Sequence, residues 1–207
     1  MKQTDEWWID LPGKSWEGMS ELGDCGDREL PIVAAAWLDV GLGELLSKRL
    51  RDLPGESKEF LGLDDDGRAP AGSFGARIQL ALLLGLIPQP MARMLRNLKK
   101  IRNLMAHRLT GDLENEKVMG PLVGIIDAFA EYMKESVGMN WAGQASAMRA
   151  LLPDRPDIRR DTIRMCQAMC IHHIHIVAGA MSRIDEVETP AEARWTGRKS
   201  TPPADAE

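Results

Sequence analysis

Acidic side chains are missing from one long stretch of this chain, and other residue types are scarce throughout. Aromatics make up only 5% of the 207 residues, with one Tyr and three Phe beside six Trp. Strands favour β-branched and aromatic side chains, whereas this chain leans on Leu, Ala, Met, Arg and Glu, which argues against an all-β fold. Cysteine is limited to Cys25, Cys166 and Cys170. That odd, uneven set does not make a disulfide framework, and it fits reduced thiols in a cytosol. No uninterrupted apolar run reaches the roughly 18 residues that a membrane span needs. The longest, Ile78 to Ile87, is broken by Gln79. The opening Met1-Lys2-Gln3-Thr4-Asp5-Glu6 is acidic and then Trp-rich, unlike a secretory signal. Convincing strands, internal repeats and a Gly-rich phosphate loop are all lacking, so no cofactor is expected.

What is present reads as one helical domain. Hydrophobic residues at 44% and charged residues at 28% are globular values, and the length suffices to bury a core. Residues 1–26 read as a loosely ordered lead that Trp7, Trp8, Ile9, Leu11 and Trp16 would pin to the body. The domain spans 27–187, and the Pro-containing stretch 188–207 reads as a disordered tail. Asp27 is placed to cap a first helix, with Glu29 and Pro31 in its opening turn. Leu30, Val33, Trp37, Val40 and Leu45 form its expected core stripe to about Leu53, where Pro54-Gly55 stops it. A loop follows, with Asp64-Asp65-Asp66-Gly67 as a turn. Ser73 caps a second helix, Phe74 to Leu86, apolar nearly all round and therefore expected at the centre. Pro88-Gln89-Pro90 restarts the chain into a third helix to about Arg108, ended by Gly111. Pro121 opens or re-enters a fourth, with Leu122, Ile126, Phe129 and Met133 on one stripe. Residues 137–156 are mixed. A fifth runs from Asp157 to about Val187 on a stripe of Ile158, Met165, Met169, Ile176, Ala180 and Ile184. The expected architecture is an all-α bundle of four to five principal helices.

Charge is segregated along this chain. Between Gly67 and Gly111 there is no Asp or Glu, while Arg68, Arg77, Arg93, Arg96, Lys99, Lys100, Arg102 and Arg108 lie there. Such a segment either meets an acidic partner or is neutralised by acidic flanks folding back. A net charge of −5 argues against a chain that grips DNA alone through many phosphates.

The third helix carries the sharpest pattern. At 100° per residue, Met94, Leu98, Ile101 and Met105 share a core face. Arg93, Arg96, Lys100, Asn103 and His107 fall opposite, flanked by Lys99, as a basic face for phosphates or, more blandly, a solvated surface. The segment Ile101-Arg102-Asn103-Leu104-Met105-Ala106-His107 resembles the Arg, four residues, His signature of the HEPN superfamily. Those domains are helical bundles, many of them metal-independent ribonucleases acting from a dimer interface. The resemblance implies that Arg102 holds the scissile phosphate, Asn103 orients nearby groups and His107 moves the proton. Histidine suits proton transfer near neutrality, and arginine forks onto phosphate oxygens. On a regular helix, however, Arg102 and His107 diverge by about 140°. They converge only where the helix ends or distorts, or where a second protomer supplies one of them.

A wider resemblance covers about residues 27–187. Its marks are the Gly-containing approach Ala69-Pro70-Ala71-Gly72-Ser73-Phe74-Gly75-Ala76-Arg77-Ile78-Gln79-Leu80, the Leu84-Gly85-Leu86-Ile87 turn and the 101–107 segment. Gly120-Pro121 and a long last helix complete them. This order is similar to the mannitol operon repressor family, which is all-helical. The resemblance implies a small cytoplasmic bacterial regulator, described as a transcriptional repressor. No helix-turn-helix is legible, so repression would run through a partner.

Cys166, Cys170 and His173 fall on one face of the fifth helix, with His172 and His175 close by. Thiolate and imidazole suit zinc or copper, but a fourth ligand and a paired knuckle are lacking, so no metal is expected and core packing is the plainer reading. Three functions stay open: a homodimeric regulator, favoured on the longer resemblance; a HEPN-type endoribonuclease or toxin; and a structural all-α protein. Protein or nucleic acid would meet the basic third helix, without a membrane.

Overall fold

A computed structural model describes residues 22, 25–50, 56–63, 69–107 and 112–185, the last four by backbone alone. Among them there is no strand, and seven α-helices follow one another. These are α1 (Glu29–Arg49), α2 (Glu56–Leu61), α3 (Phe74–Leu83), α4 (Gln89–Ala106), α5 (Glu116–Tyr132), α6 (Ala142–Leu151) and α7 (Pro156–Asp185). A π-helical turn, Met133–Val137, extends α5 and ends at Gly138, whose φ of 76° is left-handed. The fold is thus the expected all-α bundle. The lead to residue 21, the first helix's end at Pro54-Gly55, the Asp64-Asp65-Asp66-Gly67 turn, Arg68, Arg108, Gly111 and the tail from 188 lie outside the described residues.

α4 is the central element, packed against α1, α3, α5 and α7. Its core face is the expected one: Met94, Leu98, Ile101 and Met105 are buried, joined by Met91 and Leu95. Pro88 and Pro90 fit its start because an opening turn needs no N–H partner there. α5 returns antiparallel beside it, so that Arg93 pairs with Glu131 at one end while His107 meets Lys117 at the other. α1 and α7 run in the same direction: Asp27 pairs with Arg160, and Gly41 packs against Ile174.

Several expectations are corrected. α3 is not the central helix: Ser73 does cap it, accepting from the Ala76 N–H at 3.2 Å, but it ends at Leu83, which is 73% exposed. Asp27 does not cap α1; its carboxylate pairs with Arg160, and the Glu29 side chain accepts from the Gly26 N–H instead. The α1 core stripe is rotated to Leu30, Ala34, Leu38, Leu42, Leu45 and Leu46, which leaves Val33 and Trp37 half-buried and Val40 exposed. Burying a large aliphatic side chain contributes about 1.5–3 kcal/mol, so five leucines outweigh two valines and a tryptophan. α7 is rotated likewise, burying Thr162, Ile163, Cys166, Cys170, Ile174 and Ala178 and exposing Ile176 and Ala180. Small side chains on that seam let its backbone approach its neighbours. α5 begins five residues before Pro121, at Glu116, with Asn115 accepting from the Lys117 N–H. α2 and α6 lie where a loop and a mixed stretch were expected.

By length and composition α1 is also apolar enough to cross a membrane, with a mean hydropathy of 1.5 over its best window; half of that window is buried in the bundle. Asp39 interrupts it and is bonded to Arg77 at 2.8 Å.

Candidate functional site

The basic stretch is divided by the fold. Arg77 leaves the surface altogether: its guanidinium donates to the Ala71 and Leu61 carbonyls and to Asp39, knitting α1, α2 and α3. Burial pushes the Asp39 carboxyl up, and the Arg77 charge opposes that shift. Arg93 pairs with Glu131, Arg96 donates to the Gln79 side chain at 2.7 Å, and Lys99 lies across Gly75 of α3. The acidic flanks therefore neutralise Arg77 and Arg93 internally. Asp39 also acts on the Arg102 charge, near the C-terminal end of α4.

At that end the antiparallel α4–α5 pair leaves an open groove. Lys100, Asn103, Leu104 and His107 line it from α4, and Lys117 and Pro121 from the first turns of α5. Among the described residues no carboxylate lines it. Leu104 and Pro121 are its apolar lining and Asn103 contributes an amide. The N-terminal turn of α5 adds the positive end of its helix dipole. The α4 terminus is itself fixed from α1, because Arg28 donates to the Met105 carbonyl at 3.2 Å.

Arg102 does not enter this groove. It is exposed on the α1 side of α4, where its charge acts on Asp39, and it donates to Asn103 Oδ1 at 3.2 Å. α4 stays regular through Ala106, and His107 is its C-cap at φ −92°, ψ 4°. The divergence that the five-residue spacing imposes is thus preserved within one chain. Of the residues expected on the basic face, Lys100, Asn103 and His107 come together, whereas Arg93, Arg96 and Lys99 face α3 or α5. Lys117 and Pro121 escaped the sequence reading. Lys117 lies beyond the acid-free window, between Glu116 and Val118, and only the helix pairing brings it across.

Comparison with family models, with curated proteins and with solved structures finds no match for this chain.

The cysteine and histidine cluster of α7 is built as packing. Cys166 and Cys170 are fully buried, and burial, with Cys166 beside it, pushes the Cys170 thiol well up. A thiol held protonated is a poor ligand and a poor nucleophile. Both nitrogens of His173 are engaged, Nδ1 with the Tyr132 hydroxyl at 2.9 Å and Nε2 with the Leu86 carbonyl at 3.2 Å. Burial holds this imidazole below its ordinary pKa. Among the described residues, no three His, Cys, Asp or Glu side chains are grouped to hold a metal ion.

Proposed function

We propose that this chain is a non-catalytic regulatory module of the mannitol operon repressor type, cytoplasmic and homodimeric, that engages an acidic partner through the α4–α5 groove. The observation that supports this reading is the convergence of Lys100, His107 and Lys117 around Asn103 with no carboxylate among the lining residues. Cations around an amide donor suit phosphate or carboxylate oxygens. The separation of Arg102 from His107 favours binding over turnover, since the two residues that the HEPN resemblance pairs do not meet within one chain. The resemblance supplies the regulatory role, and the groove supplies a means of contact. The experiment is anisotropy titration of labelled duplex DNA, single-stranded RNA and an acidic peptide. The double variant Lys100→Glu/Lys117→Glu is expected to weaken the preferred ligand by at least about tenfold at unchanged melting temperature. Equal affinity for both proteins would remove the groove from the binding surface.

A second reading, a HEPN-type metal-independent endoribonuclease, draws on His107. Its exposed ring stands at the end of α4 beside Lys100 and Lys117, so a proton-transfer group adjoins cations fit for phosphate. Arg102 of a second copy would complete that site. RNA incubated with the protein in chelator separates the two readings. Cleavage that His107→Ala abolishes makes the chain an enzyme, and intact RNA leaves it a binder.

A further inference from the structure

Three stretches of this chain, 78–92, 136–148 and 165–182, carry no Asp, Glu, Lys or Arg, although such residues make up 28% of the whole. The fold brings part of each to one place. There the His173 ring of α7 bonds the Tyr132 hydroxyl of α5 and the Leu86 carbonyl of the α3–α4 turn. Leu83 and Leu84 lie just before Leu86, and Ile176 follows His173 by one turn. Val137 ends the π-helical turn after Tyr132, and the Met139 N–H folds back to the Met133 carbonyl at 2.9 Å. These side chains are five of the eight large apolar ones exposed among the described residues: Leu83 at 73%, Ile176 at 55%, Met139 at 52%, Val137 at 49% and Leu84 at 39%. None of the five belongs to the packed core.

This end of the bundle is a ledge beside a wall. α5 and α7 run the same way, since Glu114 faces Arg159 at 3.8 Å near their starts and Tyr132 meets His173 further along. α5 with its π-helical turn stops five residues after Tyr132, whereas α7 continues twelve residues past His173, about 18 Å. Leu83, Leu84, Val137 and Met139 therefore sit on a ledge from which the end of α7 rises. Ile176 and Ala180 follow His173 at +3 and +7, on the same side of the helix, and both are exposed, so the wall above the ledge is apolar too.

A second copy of this chain fits that corner in shape, charge and area. Wall and ledge belong to one copy, so a twofold rotation seats the wall of each on the ledge of the other and closes the pair. The outer face of α4 is cationic and would repel its own copy, whereas the three stretches that build this end hold no fixed charge. An anionic bilayer would find no Lys or Arg in them for its headgroups. The five open side chains present on the order of 500 Å² of apolar surface, near the top of what a monomer leaves bare and over half of what each partner gives to an ordinary dimer.

We propose that two copies pair through this end, with Ile176 of each seated on the partner's Leu83 and Leu84. The proposal rests on the homodimeric reading above and names the face that carries it. Each α4–α5 groove lies at the other end of α4, about 25 Å away, and stays open to its own ligand. Arg102 of the second copy is then too far off to join His107.

The test is sedimentation of the full chain from about 1 to 100 μM, where the parent is expected to be a dimer. Leu83→Glu and Ile176→Glu each alter a side chain more than half exposed. Either should raise the dimer dissociation constant at least about a hundredfold at unchanged helix content. Ile176→Ala, which adds no charge, should raise it about tenfold, and Lys100→Glu/Lys117→Glu should leave it as in the parent. A parent dimer that the Leu83 and Ile176 variants leave intact overturns this face while the homodimeric reading stands. A dimer dissolved only by the groove variant moves the interface to the groove and overturns the proposal as well. A parent that stays monomeric throughout overturns the face and the homodimeric reading together. If that monomer floats with phosphatidylcholine vesicles, a bilayer is the occupant instead.

Discussion

The His173 side chain is held at both ring nitrogens. The Tyr132 hydroxyl donates to Nδ1, and Nε2–H donates to the Leu86 carbonyl, so α5, α7 and the α3–α4 turn all hold one neutral ring. Burial lowers its pKa, and the charge of His172 lowers it further, against the carbonyl that favours the cation. Burial shifts His175 the same way. The sign of the linkage follows. The unfolded chain takes up protons near the ordinary value of 6.5, before the folded chain does. The stabilisation is then fully present above that pH and is lost as pH falls below it. Melting temperatures measured at pH 7.5 and 5.5 should drop on acidification, and His173→Gln should show a smaller drop than the parent protein. Equal drops would mean that His173 is not the group responsible. None of this was legible in the sequence. There His173 stood seven residues from Cys166 on one helical face, and its partners lay 41 and 87 residues away. Arg77 hid itself for the same reason: a cation in an acid-free window reads as surface until Asp39 and two carbonyls are found around it.

Between elements, Gly75 and Gly124 each stand where a Cβ would collide with a neighbouring side chain. A Cβ at Gly124 of α5 would stand 2.5 Å from Asn97 Nδ2 and 3.0 Å from its Cγ, on α4. A Cβ at Gly75 of α3 would meet the Lys99 ammonium at 2.2 Å, the far end of a long flexible side chain that can swing into solvent. Alanine gains up to about 1 kcal/mol of helix propensity at either site. At Gly75 that gain should survive. At Gly124 it is offset by displacing the short, stiff Asn97 side chain, at a cost of roughly 1–3 kcal/mol. Urea unfolding should therefore find Gly75→Ala neutral or stabilised and Gly124→Ala destabilised by about 1 kcal/mol. In an Asn97→Ala background, Gly124→Ala should become stabilising. A Gly124→Ala midpoint at or above that of the parent would contradict this packing of α4 on α5. The elements also show where helical periodicity is readable. α4 has one apolar and one basic face, and its core residues followed directly from 100° per residue. α1 is apolar on both faces, so of its assigned stripe Leu30 and Leu45 are buried and Val33 and Trp37 half-buried, while Val40 is exposed and Ala34, Leu38, Leu42 and Leu46 complete the inward side. In α7, likewise, Ile158, Met165 and Met169 pack at the margin of the core whose centre belongs to Cys166, Cys170 and Ile174, and Ile176 is exposed. α2 and α6 were missed because both are short and each buries a single residue.

Across the whole molecule, the sign of the charge at a point matters more than its sum. The chain is net −5, yet the groove at the end of α4 has no acidic lining. Half of the candidate site was legible: Lys100, Asn103 and His107 share a helix face that spacing reveals. Lys117 was not, because its place depends on how α5 returns along α4. This distribution sets how strongly an anionic partner can depend on salt. Among the described residues, Arg77 and Arg93 are paired with Asp39 and Glu131, while Arg96, bonded to the neutral Gln79 amide, and Lys99, laid across α3, keep their charge but face away from the groove. Lys100 and Lys117 line the groove at the positive end of the α5 dipole, so a ligand confined to it has about two to three phosphates neutralised. For duplex DNA the logarithm of the binding constant should then fall with the logarithm of salt at a slope of about −2 to −3. A chain using the whole acid-free stretch, with its eight cations, would give a slope nearer −7. Lys117→Gln should flatten the slope by about one, and Arg93→Gln should leave it unchanged, since Arg93 is already paired. A slope steeper than about −5, or equal flattening by the two variants, would spread the contact along the full length of α4 and end the assignment of the groove as its centre.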